Sequence, residues 1–128
     1  MISLSTILKI NAISSGAAGC GLIFFAKPIA SIFGTGITAP FTNVGIFLVV
    51  FAAVVYWVSV RKPLNPASVR TVIWLDRFWV LGSVAAVTLL ADVISLTGNL
   101  VIILVALWVG AMAMIQQKGL KSLQLKES

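Results

Sequence analysis

The stretch TNVGIFLVVFAAVVYWVSV, Thr42 to Val60, carries no charged side chain and stops at Arg61-Lys62. At 1.5 Å of rise per residue this run makes a helix of about 28 Å, close to the ~30 Å hydrocarbon core of a bilayer. It has no polar face to present to water, the mark of a helix surrounded by apolar material. Its abrupt end at two basic residues fits a helix leaving the membrane among lipid headgroups.

Three more stretches approach the same length on either side: Leu4 to Ala26, Thr71 to Leu96 and Leu100 to Gln116. The composition agrees, with 60% hydrophobic and 9% charged residues in 128. Soluble domains carry about 25% charged residues, so a chain this poor in charge cannot cover a water-facing surface. The expectation is an all-α membrane protein. One domain over residues 1-128 forms a four-transmembrane-helix bundle, with helices about 4-26, 42-60, 66-96 and 100-117.

The first of these could be read as a signal peptide, with Ala17-Ala18-Gly19-Cys20 resembling a lipoprotein cleavage box. The polar residues Asn11, Ser14 and Ser15 before it, and the apolar Leu22 to Phe25 after it, favour retention as a helix. Between the first two helices, Pro28 suits a first helical turn and Gly34 a helix end. Ile29, Ile32 and Phe33 share one face, which predicts a short interfacial helix. Asn65-Pro66 caps the third long helix. Thr97-Gly98-Asn99 predicts a tight turn between the last two.

Net charge is +6. Lys9, Arg61, Lys62, Arg70, Arg77, Lys118, Lys121 and Lys126 all fall at the end that holds both termini, and only Lys27 falls at the other. Basic residues stay on the cytoplasmic side, so both termini are expected there, in a bacterial inner membrane. Trp57, Trp74 and Trp79 are expected at the same boundary. The basic residues form no stripe that could follow a phosphate backbone, so nucleic acid is not an expected partner. Membrane lipids, other membrane subunits or a second copy are.

Without histidine, bis-histidine haem, histidine-bound zinc and di-iron Glu-x-x-His sites are excluded. The single Cys20 offers no internal disulfide and reads as a small buried residue. No Cys-x-x-Cys, phosphate loop or nucleophile–base pair is present, so no catalytic residue, metal ligand or cofactor is assigned.

The informative polar residues are few. The third long helix is expected to carry both Asp76 and Asp92, and the fourteen residues between Arg77 and Asp92, Phe78 to Ala91, span only about 21 Å. At least one aspartate then lies at or inside the lipid edge, where a charge must be paired or neutralised. Asp76 has Lys9, Arg61 or Lys62 within its expected reach, and Asp92 has Lys27, an ion-pair candidate. Asp76, Trp79, Ser83 and Ala86 recur at helical spacing, as do Asn11, Ser15, Ala18 and Leu22. Facing each other, these stripes make Asn11, Ser15, Asp76, Trp79 and Ser83 a polar cluster inside the bundle. That cluster is either a ligand or proton site or a set of interhelical hydrogen bonds that fix register. Small-residue pairs such as Ser15 with Gly19 and Gly82 with Ala86 favour close helix packing. Asn11 and Lys27 are also spaced like Asp76 and Asp92, which leaves a duplicated hairpin open.

Asn11-Ala12, the Pro28 loop, Leu75-Asp76 and Trp79-Val80-Leu81-Gly82-Ser83, on this hydropathy profile, resemble the small four-helix bacterial inner-membrane proteins, broadly the DoxX-like group. The resemblance implies association with redox or respiratory complexes but transfers no functional residue. Small multidrug transporters are of similar length and helix count, yet rely on a glutamate in the first helix. Here the sole glutamate is Glu127, which argues against proton-coupled efflux. The expected function is a non-catalytic interaction or accessory subunit of a membrane assembly. The alternative is a small-molecule or lipid binder or transporter around Asp76.

Overall fold

The computed structural model describes residues 3–127, apart from the side chains of Gln124, Lys126 and Glu127. The position of Lys126 in the basic rim therefore lies outside the described residues. Five helices follow one another: α1 (Leu4–Phe24), α2 (Ala26–Ile32), α3 (Ala39–Val60), α4 (Pro66–Leu89) and α5 (Leu96–Glu127). Four of them, all but α2, are long and apolar enough to cross a membrane. The expected four-helix membrane bundle with a short helix after the first span is what forms.

The long helices pair as two antiparallel hairpins, α1 with α3 and α4 with α5. Within α3 the buried residues Gly45, Leu48, Ala52, Val55 and Ser59 step by three and four. That period makes a continuous seam along one face. It meets α1 most closely where Gly19 crosses Gly45. A Cβ on either glycine would stand 2.7 Å from the other's carbonyl oxygen. Near the termini, Ser5 Oγ donates to the Ser59 carbonyl at 2.7 Å and fastens the same pair.

The hairpins meet each other over only half their length. Their shared core is Leu8, Ala12, Phe51, Val55, Val58, Val69, Val72, Ile73 and Leu120, all toward the end with both termini. From Arg77 to Ala111 only Gly98 is buried. The outer halves of α4 and α5 therefore stand apart from α1 and α3. Lipid solvates such apolar surface as well as protein does, so no hydrophobic force closes the gap.

At the far end a polar tie joins the hairpins. Gly34 ends the turn after α2 with φ +79°, a conformation that glycine adopts without strain. The next loop packs against it: Ser95 N donates to the Phe33 carbonyl at 2.8 Å and Ser95 Oγ to the Ile32 carbonyl at 2.5 Å. Gly34→Ala is expected to lower stability by about 1–2 kcal/mol through the left-handed backbone. Thermal unfolding in mild detergent measures this, and an unchanged midpoint would contradict the strained turn.

Three boundaries differ most from the sequence reading. The third long helix was expected to run to residue 96 but ends at Leu89, and residues 90–95 form the connecting turn. Asp92 therefore sits in that turn, and the estimate that assumed one helix through both aspartates does not hold. Thr97-Gly98-Asn99 is no turn but the first coil of α5, capped by Ser95, whose Oγ accepts from Gly98 N at 3.0 Å. The last helix continues past residue 117 to Glu127. Cys20, expected to be buried, is exposed.

Candidate functional site

Three helices deliver one amide or carboxyl side chain each to the same point inside the bundle. Asn11 on α1 is 3% exposed, Asp76 on α4 is 3% exposed and Gln116 on α5 is fully buried. Asn11 Nδ2 donates to Asp76 Oδ2 at 3.0 Å and to Gln116 Oε1 at 2.8 Å. Gln116 Nε2 donates to the same Asp76 Oδ2 at 2.8 Å. The ring is closed, and Ser15 Oγ braces it by donating to Asn11 Oδ1 at 3.2 Å.

The two donors converge on one carboxyl oxygen. Asp76 Oδ1 accepts no hydrogen bond from any described residue. No cation pairs with Asp76: among the described residues no Lys or Arg nitrogen lies within 4.0 Å of a carboxylate. The expected partners Lys9, Arg61 and Lys62 are thus replaced by two neutral amides. Arg61 instead stacks on Trp57, 4.7 Å from the ring centre, and Arg77 on Trp74 at 5.2 Å. Arg77 does turn away from its neighbour Asp76.

Asp76 and Asn11 form the polar floor of a cavity of about 260 Å³ between the two hairpins. Ser15 and Ala18 line it from α1, and Phe47 and Phe51 from α3. Trp79 on α4 and Leu104 and Trp108 on α5 complete the walls. The cavity is partly open, and Phe47, Leu104 and Trp108 in its wall are about half exposed or more. It exists because the hairpins part beyond this point, as the core of the fold dictates.

The other expected residues are placed as follows. Trp79 stands in the cavity wall, and its Nε1 is buried without a partner among the described residues. Ser83 bonds only to the Trp79 carbonyl of its own helix, at 2.9 Å, and stays out of the cluster. Lys27 and Asp92 are both exposed and form no ion pair within 4.0 Å, so that expectation is corrected. The tie between these ends is made by Ser95 instead.

Two contributors escaped the sequence reading. Gln116 was only the last residue of the fourth apolar stretch, with no role assigned. Ser14 was not singled out, yet it lines the cavity and accepts from Trp108 Nε1 at 3.4 Å. Among the described residues no group of three His, Cys, Asp or Glu could hold a metal ion.

The fold is that of a multi-pass helical membrane protein, with a buried polar centre that faces a partly open cavity. No family model, curated protein or solved structure matches this chain.

Proposed function

We propose that this protein is a non-catalytic binder of a small molecule within the membrane, with Asp76, Asn11 and Gln116 as the polar end of the site. One observation carries this: a buried aspartate with an unused oxygen lines a mostly apolar, partly open cavity. Hydrogen bonds that only fix register need no cavity beside them. Sites for drug-sized ligands run from about 300 to 1,000 Å³. At about 260 Å³ this one suits a single ring or short chain and excludes a whole phospholipid. The basic residues at the end with both termini support a cytoplasmic location for those termini. The resemblance in size and hydropathy to small bacterial inner-membrane proteins supports that membrane.

Native mass spectrometry of the protein extracted gently from its own membrane tests this. The wild type is expected to carry one small non-protein adduct, and Ala18→Phe, which fills the cavity, is expected to lose it. A wild type free of adduct would contradict the proposal.

A second reading, an accessory subunit of a membrane assembly, draws on the outer halves of α4 and α5, where nothing but Gly98 is buried. A stoichiometric protein partner in the same spectrum, unaffected by Ala18→Phe, would favour it.

A further inference from the structure

We infer that the ligand of this cavity is a small lipophilic organic cation, a primary ammonium that donates to Asp76 Oδ1. This rests on reading the cavity as a ligand site and adds the class of ligand.

The argument is one of unmatched charge and unmatched hydrogen bonding. An anion at membrane depth is costly unless something compensates it. Asn11 and Gln116 supply two N–H groups to Oδ2 but no charge. Among the described residues no Lys or Arg lines the cavity, and Asp76 is the only titratable side chain that does. The missing positive charge and the missing donor are therefore absent from the same place, at Oδ1. A primary ammonium supplies both.

The walls suit the rest of such a molecule. Trp79 and Trp108 line the cavity together with Phe47 and Phe51. Aromatic faces attract cations, most strongly where water is excluded, and they also pack against an organic ring. An anionic ligand would meet Asp76 with like charge. A neutral alcohol could donate to Oδ1 but would leave the charge uncompensated.

The test uses the full chain in phosphatidylcholine nanodiscs, with Trp57→Phe and Trp74→Phe so that only Trp79 and Trp108 fluoresce. Two probes of one shape are compared: para-bromophenethylammonium and para-bromophenethyl alcohol, whose bromine quenches a tryptophan on contact. Both are expected to quench saturably, the ammonium about tenfold more tightly, the scale of one charge-assisted hydrogen bond. Asp76→Asn is expected to abolish that preference. Equal or tighter binding of the alcohol to the Asp76 protein would overturn the cationic class and leave the cavity as a neutral-ligand site. Saturable quenching by neither probe would overturn both readings. The comparison of probes on Asp76 protein decides the matter even if Asp76→Asn does not fold.

Discussion

Replacing Asn11 by leucine is expected to destabilise the bundle by about 2–4 kcal/mol, the largest loss from any single polar residue. Leucine keeps the branched four-atom outline of asparagine, so the main change is the loss of the amide's hydrogen bonds. Both Asn11 N–H groups are in use, one on Asp76 Oδ2 and one on Gln116 Oε1. Their removal leaves a carboxyl oxygen with one donor and a fully buried amide oxygen with none. Interhelical hydrogen bonds in membranes average about 0.6 kcal/mol because the separated helices find other partners. The larger figure here comes from stranding the buried Gln116 Oε1 while also halving the donors to Asp76 Oδ2. Asp76→Asn keeps an acceptor in place for both donors and is expected to cost under about 1 kcal/mol. Unfolding by sodium dodecyl sulfate in mixed micelles, followed by circular dichroism, measures both. An Asn11→Leu midpoint equal to wild type would show that the ring does not hold the helices together.

The second large effect is expected at the crossing of α1 and α3. Gly19→Leu places a Cβ 2.7 Å from the Gly45 carbonyl oxygen and 2.9 Å from Val49 Cγ2. Backbone cannot give way as a flexible side chain can, so the helices must separate. Overpacking of this kind costs about 1–3 kcal/mol, occasionally more, and the rest of the leucine adds to it. Gly45→Leu meets the Gly19 carbonyl oxygen at the same 2.7 Å and is expected to behave alike. Gly21→Leu and Gly82→Leu have nothing within 4 Å of the new Cβ and are the controls. Leucine is a better helix former than glycine by about 0.8–1 kcal/mol, so these two are expected to be neutral or slightly stabilising. The same unfolding assay separates the groups. Equal stability of Gly19→Leu and Gly82→Leu would contradict the crossing. Leu48 and Phe47 lie within a turn of Gly45, so a parted crossing is also expected to reshape the cavity wall.

The number of spans was legible because hydropathy alone sets it: the Thr42 to Val60 run admits no other medium than lipid. The meeting of Asn11 with Asp76 was legible too, since polar residues in apolar helices are few and helical spacing assigns them to faces. Gln116 was not. Followed by Gln117 and Lys118, it reads as a chain emerging into water, and only the helix continued through Leu120 and Leu123 shows it within the fold. The end of α4 was hidden for the opposite reason. Leu89, Leu90 and Ala91 prolong the apolar run without a glycine or proline to stop it. The break accompanies the Ser95 contacts with Ile32 and Phe33, which lie more than sixty positions away in sequence. Ser95 did carry a local signal, a serine at the N-cap of an apolar helix. The neighbouring Thr97-Gly98-Asn99 gave a stronger but misleading turn signal. The cavity itself could not be read, because it arises from where two hairpins stop touching rather than from any residue's preference.

The proposed site and the stability of the bundle both require α1, α4 and α5 to bring their polar side chains to one point within lipid. Solid-state NMR in bilayers measures this directly, as dipolar dephasing between the Asn11 side-chain nitrogen and the Asp76 carboxyl carbon. An Asp92→Asn background leaves Asp76 as the sole aspartate. The hydrogen bond implies a nitrogen-to-carbon distance of about 4 Å or less and hence strong dephasing. Absence of dephasing would mean that the two side chains do not meet, and the floor of the cavity with them would be gone.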